Sequence, residues 1–227
     1  MSKAFTLAEV LITLGIIGLV AALTMPAIII NYQKKQTSAL LKKAYSTFAQ
    51  ALVQAQYEFG DASSWVLTEP SSSYQDNLKY FETYWKPYIK TIKVCTTMNE
   101  CGYDITGYAS VANKNNYVYY GQADNVPGFI YGDGTYAYIR PYHFHSTVDN
   151  PYKLQLLSID LNGSKKPNII GKDVFQFVID MSRGVISGFG EKNNCTVNTI
   201  KNETENARAC GGKIMSDGWE ILDDYPW

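Results

Sequence analysis

Histidine is almost missing from this chain. Only two occur in 227 residues, His143 and His145, and a strand would present both on one face. Two imidazoles could begin a metal site, but a polar strand face is the expected reading. The remaining residues offer no Ser-His-Asp or Cys-His set and no glycine-rich phosphate loop. The chain is therefore not expected to be an enzyme. Charge is scarce as well: Asp, Glu, Lys and Arg make up 18% of the residues and the net charge is −1. That balance does not point to nucleic acid as an obligatory partner. Cysteine is limited to four residues, and no Cys-x-x-Cys spacing is present, which argues against structural zinc. No internal repeat is visible.

What the chain has in plenty is one apolar run near its beginning, FTLAEVLITLGIIGLVAALTMPAIII, from Phe5 to Ile30. As a helix it would be roughly 39 Å long, enough to cross a bilayer. Its single ionisable group is Glu9. A carboxylate at the bilayer centre costs about 3 kcal/mol and less near an end, so a partner for it is expected. Only Met1-Ser2-Lys3-Ala4 precede the run. An ordinary secretory signal places its small-residue cleavage site after the apolar stretch. Here the small residue, Ala4, comes before it.

This order resembles the class III leader of type IV pilins and type II secretion pseudopilins. The residues that carry the resemblance are Ala4, Phe5-Thr6-Leu7, Glu9, the pair Gly15 and Gly18, and Pro26. The family usually has Gly before the cut, where this chain has Ala4. The likeness is close over about the first 55 residues and general beyond them. It implies cleavage between Ala4 and Phe5 by a prepilin peptidase, N-methylation of Phe5, and assembly through Glu9, Gly15, Gly18 and Pro26. The implied partners are other pilin subunits, the inner-membrane assembly platform, and membrane lipid before assembly. The implied location is the inner membrane as a single-pass precursor, then an extracytoplasmic filament. A pseudopilin of a secretion system or a DNA-uptake pilus would share all of these features. A plain signal anchor carrying an extracytoplasmic ligand-binding or enzymatic domain is the alternative of another class.

Beyond Pro26 the pattern turns amphipathic, with Leu41, Ala44, Tyr45, Phe48, Leu52 and Ala55 at three- and four-residue steps. Gly60 is a natural helix stop. The expected divisions are a leader (1–4), a membrane or filament-core helix (5–30), its amphipathic continuation (31–60) and a globular head (61–227). Asp61 to Ser73 reads as a loop, and Asn77 to Tyr88 as a short helix with Leu78, Phe81 and Trp85 inward.

From Tyr117 the period becomes two. Strands are expected at Tyr117–Tyr120, Gly128–Tyr131, Thr135–Ile139, Leu154–Leu161, Val174–Met181 and Val185–Phe189. Hairpin turns are expected at Gly132-Asp-Gly134 and Ser182-Arg-Gly184. The fold class is therefore α+β, with a long N-terminal helix whose upper half packs on an antiparallel sheet. The resemblance makes this layout type IV pilin-like, with the lower half of the helix in the membrane.

Four cysteines beyond a membrane segment suggest disulfides in an oxidising compartment. They allow three connectivities, of which the sequence-local one, Cys95 with Cys101 and Cys195 with Cys210, is preferred. One loop offers a cation reading. Asp160, Asn162 and Gly163 are spaced like the first half of a calcium loop, and Asp173 returns a second carboxylate. Lys165, Lys166 and Lys172 oppose a cation there, the closing Glu of an EF-hand is missing, and Asn-Gly with Pro-Asn is also ordinary turn chemistry.

Overall fold

The computed structural model describes residues 6–69, 71–104, 108–113, 122–123, 125–141, 153–200 and 204–227. The expected strand at Tyr117–Tyr120 lies outside them. The chain divides into two compact units, Met1–Gln36 and Thr37–Trp227.

In the first unit the described residues belong almost entirely to helix α1 (Leu7–Phe59), which continues through Pro26. Apolar side chains from Leu7 to Ile30 are exposed there.

The second unit opens with the rest of α1. Ser38, Leu41, Ala44, Phe48, Ala51, Leu52 and Ala55 form its buried stripe, as the three- and four-residue spacing requires. Phe48 packs against Trp85, Phe129 and Tyr131, with ring centroids 5.3–6.3 Å apart. Tyr45 packs on Phe177 and donates to the Ile186 carbonyl at 2.9 Å. Burying Phe48, Leu41 and Leu52 contributes about 1.5–3 kcal/mol each. The helix ends at Gly60, whose φ of 78° lies in the left-handed region.

Helix α2 runs Tyr74–Tyr84, three residues earlier than the apolar pattern suggested. The reason is a capping box: Ser73 Oγ accepts from the Asp76 N–H, and the Asp76 carboxylate accepts from the Ser73 N–H. Its buried face is Asn77, Tyr80 and Phe81, while Leu78 is half-buried. Lys86–Tyr88 continues as a 3₁₀ turn around Pro87.

The described sheet has eight strands: β1 (Thr91–Cys95), β2 (Ala109–Ser110), β3 (Gly128–Tyr131), β4 (Thr135–Pro141), β5 (Leu154–Asp160), β6 (Ile169–Ile170), β7 (Val174–Asp180) and β8 (Val185–Gly188). Their order is β1-β3-β4-β5-β7-β6-β2, and β8 pairs with β7. The hairpins β3–β4 and β7–β8 turn where the glycines predict.

The expectation of a purely antiparallel sheet is corrected. Strands β2 and β6 pair in parallel, and β6 meets β7 in parallel at Ile170 opposite Val174. Strands β2 and β6 are two residues long each, too short to show a period-two pattern. They form because the loop after β5 doubles back and lays Ile170 against the core.

The C-terminal segment adds α3 (Thr204–Ala207) and α4 (Cys210–Ser216). Lys213 in α4 reaches Asp217 and Asp224, both at 2.8 Å, and Tyr225 donates to the Gly171 carbonyl. Trp219 packs at a tilt against Tyr45, and its carbonyl accepts from the Ser38 hydroxyl. The tail thereby ties α4 to α1.

Candidate functional site

The residues singled out by sequence fall at the start of α1, at the two cysteine pairs, and in the loop between β5 and β7. Ala4, Phe5, His143 and His145 lie outside the described residues.

At the start of α1, Thr6 stands just before the first helical residue. Glu9 Oε2 accepts from the Thr6 N–H and from the Thr6 hydroxyl, both at 2.8 Å, and the Glu9 N–H donates back to Thr6 Oγ1 at 3.2 Å. This is a reciprocal capping box. Sequence reasoning missed it, although Thr-Leu-Ala-Glu is its signature. A Cβ added at Gly15 or Gly18 would meet nothing within 4 Å, so the packing of this chain requires neither glycine. Pro26 lines a shallow apolar groove with Ala21, Ala22, Met25, Ile29 and Ile30. The helix is long and apolar enough to cross a membrane, with a mean hydropathy of 2.3 over its most apolar window.

The structure joins Cys95 to Cys101 and Cys195 to Cys210, with Cα atoms 5.7 and 5.0 Å apart. All four are buried. The first bridge ties β1 to the turn that carries Tyr103, and the second ties α4 to the segment after β8.

The β5–β7 loop begins and ends on buried carboxylates. Asp160 is 1% exposed and Asp173 is 7% exposed. Asp160 Oδ2 accepts from the Tyr103 hydroxyl at 2.8 Å, and its Oδ1 from the Asn162 N–H at 3.3 Å. Asp173 accepts from the Asn168 and Ile169 N–H groups at 2.9 and 2.6 Å, and from Asn162 Nδ2 at 3.2 Å. Burial, and then the charge of Asp173, pushes Asp160 well above the usual carboxylate range, against the hydrogen bonds that pull it down. Burial raises Asp173 in the same direction.

Gly163 (φ 62°) is pressed against the β3–β4 turn, where a Cβ would lie 2.8 Å from the Gly134 carbonyl. Asn168 is buried in the left-handed region at φ 55°. Among the described residues no group of three or more His, Cys, Asp or Glu side chains is placed to hold a metal. Tyr103 and Asn168 were not found from sequence. Asn168 had a signal, since Asn after Pro tolerates the left-handed turn. Tyr103 had none, because it arrives from a distant turn.

A family of unknown function (DUF6613) matches residues 27–183 of the chain. The chain belongs to this family. No curated protein and no solved structure matches it. The DUF6613 region takes in the packed half of α1, the sheet through β7 and the whole Asp160–Asp173 loop. Glu9 and the Cys195–Cys210 bridge fall outside it.

Proposed function

We propose that this protein is a structural subunit of a type IV pilus-like filament, with no turnover of its own. The observation that carries the reading is α1. Its apolar part is exposed along its length within the chain, while its second part forms the core of an α+β unit. Side chains such as Leu11, Ile12, Ile16, Leu19 and Leu23 need either lipid or the same helix of other subunits. The small leader and the early carboxylate, Glu9, favour the second use after the first. In this reading the precursor sits in the inner membrane, a prepilin peptidase cuts between Ala4 and Phe5, and Phe5 is methylated. Gly15 and Gly18, free of contacts within the chain, let neighbouring helices approach closely. A pseudopilin of a secretion or DNA-uptake machine would use the same parts.

One observation favours a second reading. The Thr6–Glu9 capping box gives Glu9 a local task, so the helix could be a simple anchor for an extracytoplasmic domain.

Mass spectrometry of protein extracted from membranes tests the first reading. The expected mature terminus is methylated Phe5. An intact Met1 terminus, in cells with an active prepilin peptidase, would overturn it.

A further inference from the structure

Two threonines interrupt the apolar run of α1, and both are satisfied within the helix. The Thr13 hydroxyl donates to the Val10 carbonyl and the Thr24 hydroxyl to the Val20 carbonyl, each at 2.9 Å. Polar groups that meet hydrocarbon need partners of this kind. Glu9 bounds the run on one side and Asn31 on the other. From Val10 to Ile30 the helix rises about 30 Å, which is the thickness of the hydrocarbon core. The two polar borders therefore fix the depth of the span.

The chemistry changes abruptly after Ile30. Tyr32 is 66% exposed, Lys35 is exposed and Lys34 is half-buried. Between Glu9 and Glu58 helix α1 carries no acidic residue. Among the described residues neither Lys34 nor Lys35 forms an ion pair, whereas Lys43 is held by Asp133 at 2.6 Å. Tyr32 and Lys35 are three residues apart and share a face, and Lys34 stands over Ile30, four residues before it.

Depth decides what these side chains meet. The polar layer on each side of the hydrocarbon is about 5–7 Å deep. The Cα atoms of Lys34 and Lys35 stand about 6 and 7.5 Å beyond that of Ile30 along the axis. Side chains on a helix lean toward its N-terminus, which here is toward the membrane. The two ammonium groups thus reach the phosphate level while their stems cover the apolar border. Tyr32, about 3 Å beyond Ile30, stands where amphipathic rings anchor a span.

We propose that Tyr32, Lys34 and Lys35 form a collar that binds anionic phospholipid in the leaflet at the C-terminal end of the span, the two ammonium groups pairing with its phosphodiester. A zwitterionic headgroup carries its own cation, which competes with the lysines for the phosphate. A headgroup of net negative charge carries none, and no acid on the helix offsets the two lysines. Each lysine should favour the anionic lipid about fivefold, the equivalent of about 1 kcal/mol. This inference rests on the membrane stage of the reading above and is independent of filament assembly.

The test uses the full chain in detergent micelles, supplied with equal amounts of phosphatidylglycerol and phosphatidylcholine, with bound lipid counted by native mass spectrometry. Phosphatidylglycerol should exceed phosphatidylcholine at least tenfold in the complexes. Gln is as good a helix former as Lys, so Lys34→Gln combined with Lys35→Gln leaves the helix intact and should bring the ratio close to one. Lys34→Arg with Lys35→Arg should keep the preference, and so should Lys43→Gln, whose charge Asp133 already holds. Inorganic phosphate at about 10 mM, compared with chloride of the same ionic strength, should leave the bound lipid in place. Displacement by phosphate would mean a site for a soluble anion and would overturn the proposal. So would a ratio near one in the natural chain, or a preference that survives the two Gln substitutions. Carbonate washing of membranes separates this failure from failure of the membrane reading. A chain released by the wash is not anchored at all, whereas one that stays without a lipid preference refutes the collar alone.

Discussion

Gly188 in β8 and Gly212 in α4 touch backbone to backbone. A Cβ built on Gly188 would lie 2.4 Å from the Gly212 Cα, and one built on Gly212 would lie 2.9 Å from the Gly188 Cα. The helix can lie on this edge of the sheet only because both residues lack side chains. The obstructing atoms are backbone, so no rotamer change can make room.

Gly188→Ala or Gly212→Ala must therefore push α4 off the sheet. The expected loss is about 1–3 kcal/mol for each, the range for overpacking, read as a lower denaturant midpoint at unchanged slope. Gly15→Ala, with nothing within 4 Å, should leave that midpoint where it was. Equal effects at Gly15 and Gly212 would contradict the close packing.

The second bridge should matter more than its position near the C-terminus suggests. Cys195 and Cys210 are 15 residues apart, and a closed loop of that length contributes about 3 kcal/mol by restricting the unfolded chain. Replacing both with Ser should lower stability by about that amount. Peptide mapping without reductant should recover the Cys195–Cys210 and Cys95–Cys101 pairs. Free thiols at these positions in exported protein would refute the pairing.

Lys213 gives the fold a dependence on alkaline pH. It is 5% exposed; burial works against its charge, but Asp217 and Asp224 outweigh burial and hold its pKa above the usual 10.5. A lysine whose folded pKa is raised adds stability that is fully present below the ordinary value and lost as pH rises through the folded one. Lys213→Met should therefore cost about 1–2 kcal/mol near neutral pH, between an exposed and a buried pair, since Asp217 is partly exposed and Asp224 half exposed. The difference in Tm between the two proteins should shrink only above roughly pH 10. A constant difference across that range would mean that packing, not charge, holds the tail.

Legibility from sequence followed the length and locality of each signal. The α1 stripe and the hairpins β3–β4 and β7–β8 rest on repeated local patterns, and they were readable to within a residue or two. Strands β2 and β6 are two residues each and exist only because the Asp160 loop folds back, so no periodicity announced them. The parallel pairing that makes the sheet mixed was hidden for the same reason. In the loop itself, Asp160 and Asp173 stood out as carboxylates at turn positions. Asn168 looked like ordinary turn chemistry until the backbone brought it against Gly163 and Lys165. At the start of α1, attention to Glu9 as a charge in an apolar run obscured Thr6, three residues before it.

That last pair allows the two readings of Glu9 to be separated. Within its own chain Glu9 closes a capping box with Thr6. In a filament, the amino group left by cleavage before Phe5 would lie about 6 Å along the axis from Glu9 of the same chain, and the terminus of an incoming subunit would neutralise that carboxylate. Glu9→Ala removes both functions and cannot distinguish them. Glu9→Gln can, because Gln also serves as the third residue of a capping box but carries no charge to pair with a terminus. Thr6→Val does the reverse: it removes the cap, at a cost of about 1 kcal/mol to the helix start, and leaves the charge. If the charge drives assembly, Glu9→Gln and Glu9→Ala should both insert and be processed normally yet yield few sheared filaments. Thr6→Val should still assemble. The opposite pattern, with Glu9→Gln filaments at normal yield and Thr6→Val impaired, would make Glu9 a helix cap and leave the anchored domain as the better account of the chain.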